Sequence, residues 1–146
     1  MRRNLEMVYR DSMSEERFTE RKTDVSNATR RLIEAVKQPE SDILRDAVIQ
    51  RFEFSFELVW KTLKLYLERH GHECGGPRPT LKKAFTEGII NTPEEGDLWL
   101  QMLEDRNLTT HAYDQELANR IYQHIVDSYA ELLGTMADKI QGLAWD

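Results

Sequence analysis

The 146 residues contain a single cysteine, Cys74, so no disulfide can form within the chain, which suits a reducing compartment. No apolar run reaches the roughly eighteen residues of a membrane-spanning helix, and none resembles the apolar core of a secretory signal. The cytoplasm is therefore the expected location. Excess positive charge is missing too: the formal net charge is −6. That balance excludes a general polyanion binder, and any nucleic-acid contact must come from a local basic patch. No repeat or low-complexity segment appears. No glycine-rich phosphate loop follows a strand, because no strand is apparent, and no serine or cysteine nucleophile is signalled beside a base.

Metal ligands are also in short supply. His70, His72 and Cys74 alternate in one loop, but a structural zinc site takes four ligands, usually from two separated pairs. His111 and His124 lie far along the chain, so the loop histidines read as solvated. No metal or cofactor is expected. The paired acids Glu15 and Glu16, and Glu94 and Glu95, read as solvated faces or helix-start acids.

What is present is helical. A hydrophobic fraction of 40% beside a charged fraction of 32% suits one charge-coated helical domain and argues against disorder. The first fourteen residues lack a sustained period and read as a flexible N-terminal arm, 1–14, ahead of a domain spanning 15–146. From about Ser14, Phe18, Val25, Leu32 and Val36 recur near a heptad spacing until "QPES" stops the run. Ser41 or Asp42 can cap the next helix, about Asp42 to His70. Inside it "RFEFSFELVW" alternates like a strand. However, Leu44, Val48, Phe52, Phe56, Val59, Trp60, Leu63 and Leu67 form one stripe at steps of three and four. Phe54, Leu58 and Leu65 fall on a second side, which suits either burial all round in one bundle or contact with a second subunit.

"HGHECGGPRPT" reads as a loop, with Thr80 capping the short helix "LKKAFTEG" that Gly88 ends. Thr92 and Pro93 start the next helix, and the last runs from about Asp114 with Leu117, Ile121, Ile125, Tyr129, Leu132 and Met136 on one face. The expected fold is all-α: an antiparallel up-and-down four-helix bundle with an additional short helix.

One stretch concentrates chemistry: "EDRNLTTHAYD", residues 104–114. On an unbroken helix Arg106 and His111 would lie about 140° apart around the axis. They converge on one phosphate only if the backbone bends between them or a second copy supplies the partner residue. Histidine can act as a general base or acid at neutral pH, and arginine's planar fork binds phosphate and stabilises charge developing on it. With a ribose 2′-hydroxyl as nucleophile, such a pair could cleave RNA without a metal ion. The other reading of these residues is helix caps and inter-helix hydrogen bonds.

Arg106, four intervening residues, His111, one residue and Tyr113 resemble the R-x4-H-x-Y motif of HEPN-domain proteins, in the branch partnered with minimal nucleotidyltransferases (HepT-like toxins and nucleotidyltransferase substrate-binding proteins). "RFEFSFELVWKTLKLYLE" and "DLWLQMLEDRNLTTHAYDQELANRIYQHI" are similar to helices of that branch, and the resemblance runs from about Glu15 to Leu143. It implies a four-helix bundle that forms a homodimer and brings two motifs into one cleft. It further implies either of two roles. One is a metal-independent endoribonuclease toxin of a toxin–antitoxin pair, silenced when a small nucleotidyltransferase adds AMP to the motif tyrosine. The other is a non-catalytic substrate-binding subunit of that nucleotidyltransferase. On this resemblance Arg106 and His111 are catalytic, Asn107 is a polar, substrate-binding neighbour, Tyr113 is the modified residue, and RNA is the substrate. Glu104, Asp105 and Asp114 beside the motif oppose an anionic substrate, and Arg78, Lys82 and Lys83 could offset them.

Overall fold

The computed structural model describes residues 2–146, with side chains from Asn4 onward; Met1 of the expected arm lies outside the described residues. The helices are α1 (Arg2–Val36), α2 (Asp42–Arg69), α3 (Pro77–Thr86), α4 (Pro93–Leu108), α5 (Gln115–His124) and α6 (Ala130–Gln141). No strand occurs among the described residues. A π turn, Ile125–Tyr129, joins α5 to α6 with helical backbone at both junctions, so the two form one long element. α1, α2, α4 and the α5–α6 element make the four-helix bundle, and α3 is the additional short helix, packed on α2 and α4.

The core follows the sequence stripes. Phe18, Val25 and Leu32 of α1 are buried, as are Val48, Phe52, Phe56, Val59, Leu63 and Leu67 of α2. The strand-like alternation of "FEFSF" resolves as helix: Phe52 and Phe56, four apart, are fully buried, whereas Phe54 between them is 58% exposed. Ser41 is the cap of α2, its Oγ accepting from the Leu44 N–H at 3.1 Å.

Two expected boundaries differ. α1 begins at Arg2 rather than near Ser14, because residues 2–13 hold no proline or glycine and a helix already nucleated in the bundle extends at little cost. α3 begins at Pro77, inside the segment read as loop. Pro77 and Pro79 sit in its first turn, where backbone N–H groups have no helical partner anyway. Thr80 is therefore not a cap. It is buried inside the helix and donates its hydroxyl to the Gly76 carbonyl at 2.8 Å. Thr92 does cap α4, accepting from the Glu95 N–H at 3.1 Å with Pro93 at the first helical position.

α2 and α3 end alike. His72 N–H bonds the Leu67 carbonyl at 2.9 Å and Gly71 N–H the Glu68 carbonyl at 3.1 Å; Ile89 N–H bonds the Ala84 carbonyl at 2.9 Å and Gly88 N–H that of Phe85 at 3.1 Å. Both are Schellman closures, with Gly71 at φ +89° and Gly88 at φ +80° in the left-handed region. At Gly88 a Cβ would meet nothing within 4 Å, so conformation alone penalises a side chain there. Gly88→Ala is expected to lower the unfolding free energy by about 1–2 kcal/mol in urea denaturation, and Gly88→Asn by less.

Candidate functional site

The α-helical backbone of α4 stops at Leu108 and tightens into a 3-10 turn, Thr109–His111. Asp114 then caps α5, its Oδ1 accepting from the N–H groups of Glu116 at 3.0 Å and Leu117 at 3.3 Å. The backbone between Arg106 and His111 thus changes from α-helix to a 3-10 turn. Thr109 stitches it: its hydroxyl donates to the Arg106 carbonyl at 2.7 Å and accepts from Arg106 Nη1 at 3.1 Å.

Arg106 leans toward α2, its side chain 23% exposed. Nη1 lies 3.7 Å from Glu53 Oε2, and Nε lies 3.3 Å from Glu57 Oε1. The Nε contact is an ion pair off the line a hydrogen bond requires, so that buried N–H has no hydrogen-bond acceptor. Glu53 and Glu57 are four residues apart and share a face of α2. Glu57 is oriented in turn by Trp60 Nε1, which donates to Oε2 at 3.1 Å, and by Lys61 Nζ at 3.6 Å. One guanidinium therefore faces two carboxylates.

His111 ends the turn and Tyr113 lies beyond it, both exposed, Tyr113 at 81%. Their rings meet edge to face with centroids 5.9 Å apart, and His111 Nδ1 is 3.4 Å from Tyr113 Oη. Asn107 is exposed on the last turn of α4, and its carbonyl accepts from the Thr110 hydroxyl at 3.3 Å. Arg106 and Asn107 thus lie on the last turn of α4, His111 ends the 3-10 turn, and Tyr113 follows it. No hydrogen bond joins Arg106 to His111 among the described residues; each has its own partners.

Asp105 is buried and meets the α5–α6 element. Its Oδ2 accepts from Tyr129 Oη at 2.6 Å and lies 2.7 Å from His124 Nδ1. His124 and Tyr129 are five residues apart, about 140° around an α-helix. The π turn between them reduces that offset, so both reach the same oxygen.

The other polar candidates lie apart from this turn. The His70 ring meets that of Tyr66 at a tilt, with centroids 4.4 Å apart, His72 Nε2 is 3.4 Å from Glu87 Oε1, and Cys74 is buried, which raises the pKa of its thiol. No group of three or more potential ligands that could hold a metal ion occurs among the described residues. Nor, among them, is any helix long and apolar enough to cross a membrane.

Residues 20–142 match the family described as nucleotidyltransferase substrate binding protein like. The chain belongs to that family. It is the nucleotidyltransferase-associated HEPN group that "RNLTTHAY" resembles. A protein of Haemophilus influenzae named "Probable ribonuclease HepT" is 35% identical over 97 residues. The aligned part spans 62% of this chain and 63% of that protein, less than two thirds of the relative's length. The crystal structure of a Thermus thermophilus protein is 36% identical and superposes with a TM-score of 0.70, covering 81% of this chain and 96% of that one.

For this HEPN-family chain, sequence reasoning missed the second ring of side chains: Glu53, Glu57 and Trp60 around Arg106, and Asp105, His124 and Tyr129 behind it. A tyrosine on a buried helical stripe is itself a signal, because its hydroxyl must find a partner inside. Burial, and then the hydrogen bond to Asp105, push the Tyr129 phenol well above its ordinary range. A tyrosine in the unfolded chain loses its proton near pH 10, about its reference value. The stabilisation linked to the neutral folded phenol is therefore complete below about pH 10 and is lost as pH rises further, at up to about 1.4 kcal/mol per pH unit. Tyr129→Phe is expected to cost about 1–3 kcal/mol at neutral pH in urea denaturation, and to remove its share of the alkaline slope.

Proposed function

We propose that this chain is the HEPN toxin of a toxin–antitoxin pair: a cytoplasmic, metal-independent endoribonuclease whose site is completed at a homodimer cleft and silenced by AMP transfer to Tyr113. The observation that carries this reading is the placement of Arg106 at the end of α4 and of His111 and Tyr113 at and after the 3-10 turn that follows, the latter two open to solvent and in contact with each other. The name of the Haemophilus influenzae relative supports the ribonuclease half, and the family description supports a nucleotidyltransferase partner. The exposed Phe54 on the second side of α2 supports a face for the second copy.

In the reaction, His111 takes the proton of a ribose 2′-hydroxyl, whose oxygen attacks the neighbouring phosphorus. The bond from phosphorus to the 5′-oxygen breaks. One fragment is left with a 2′,3′-cyclic phosphate, and the other with a 5′-hydroxyl once its oxygen is protonated. His111 of a second copy is suited to give that proton. Arg106 carries the charge gathering on the phosphoryl oxygens, and Asn107 holds substrate beside it. This chemistry is acid–base and electrostatic throughout, so these side chains need no metal ion for it. For silencing, Tyr113 Oη loses its proton and attacks the α-phosphorus of ATP held by the partner enzyme. Pyrophosphate departs, and a bulky phosphodiester is left on an oxygen that lies 3.4 Å from His111 Nδ1.

A second reading, a non-catalytic substrate-binding subunit of the nucleotidyltransferase, is favoured by one observation. In a single chain the Arg106 fork is already countered by Glu53 and Glu57. Two experiments separate the readings. Purified protein is expected to cut RNA in the presence of EDTA, and His111→Ala to lose at least about a hundredfold in rate. A wild type and mutant that behave alike leave the binding subunit. With a cognate nucleotidyltransferase, ATP and Mg2+, the intact mass is expected to rise by whole AMP units, and Tyr113→Phe to show no gain.

A further inference from the structure

The buried carboxylate behind the motif has no place in the chemistry above, yet it is the immediate neighbour of Arg106. We propose that Asp105, held by Tyr129 and His124, is the positioning residue that fixes the Arg106–His111 turn in its catalytic geometry. This rests on the nuclease reading.

Consecutive residues on a helix point about 100° apart, so the last turn of α4 presents Arg106 to α2 and Asp105 to the α5–α6 element. The turn is gripped from two sides. On one, Glu53, Glu57 and Thr109 hold the guanidinium. On the other, a single carboxylate oxygen receives the Tyr129 hydroxyl at 2.6 Å and faces His124 Nδ1 at 2.7 Å. Tyr129 is itself clamped, its ring stacked on Phe52 of α2 with centroids 5.5 Å apart and planes 19° apart. Through Tyr129 the carboxylate is tied to α2 as well.

A buried charge is a poor choice for stability alone, since apolar side chains of similar volume fill such a space at lower cost. What it adds is direction, because charge-assisted hydrogen bonds at these distances tolerate little displacement of either partner. The chain also departs from α-helix to make the contact: the π turn spans Ile125–Tyr129, between the two groups that meet Asp105. Such turns recur where a side chain must be aimed. Asp105 and Tyr129 are both buried, which excludes contact with RNA and leaves them the role of holding the turn.

The test compares Asp105→Ala and Asp105→Asn with Leu32→Ala, a core truncation on α1 that also lowers stability. RNA cleavage is followed well below each protein's unfolding transition, with amide exchange measured over residues 106–112. Asp105→Ala is expected to lose at least about tenfold in kcat with KM near wild type, and to exchange faster in that segment. An Asn amide oxygen in the place of Oδ2 can accept from both the Tyr129 hydroxyl and His124 Nδ1–H, so Asp105→Asn is expected to recover most of both. Leu32→Ala is expected to keep wild-type kcat. Should Asp105→Ala not fold, Tyr129→Phe carries the same readouts. A folded Asp105→Ala with wild-type kcat and exchange overturns the proposal, as does an equal kcat loss in Leu32→Ala. If wild type itself fails to cut, the nuclease reading falls, and the exchange data alone decide whether Asp105 holds the turn.

Discussion

A carboxylate inside a protein survives only where donors surround it, and Asp105 has its donors from a different helix. Much of the site's architecture follows from that constraint. Tyr129 and His124 must reach one oxygen, so the last long element widens into a π turn between them. Tyr129 must be held still, so its ring lies flat on Phe52. α4 then cannot rotate about its axis without breaking these contacts, and its end is delivered to the surface in one orientation.

That orientation decides what the surface offers. Arg106 comes out beside Glu53 and Glu57, while His111 at the end of the 3-10 turn and Tyr113 after it face solvent. The guanidinium is thus held at the boundary between core and water, among carboxylates that keep it extended and oriented. A phosphate approaching it meets one positive and two negative groups, so binding depends on how the anion and the carboxylates share the fork. A second copy at this face would add its own arginine to that balance.

α2 connects these regions. One side carries the core stripe from Val48 to Leu67, and residues between those positions carry Glu53, Glu57 and Trp60 toward the end of α4. The same helix leaves Phe54 exposed. A helix with three faces in use has little freedom to change, which explains why its pattern is so unlike a simple amphipathic stripe.

The amino-acid sequence by itself determined the helices, most of their stops and the motif. Periodicity placed Phe18, Val25, Leu32 and the α2 stripe in the core, while local chemistry placed Ser41, Thr92 and Asp114 at helix starts and Gly88 at a helix end. All of these are local effects of backbone geometry and capping. Local reasoning failed at Pro77, where proline reads as loop although a first helical turn accepts it, and before Ser14, where a helix propagates from its folded neighbour. Arg106, Asn107, His111 and Tyr113 were legible because they lie within eight residues of chain. Only the tertiary structure decided what holds them. Asp105 meets Tyr129 twenty-four positions away and Arg106 meets Glu57 forty-nine positions away, and no period or spacing encodes a contact made by two helices packing side by side.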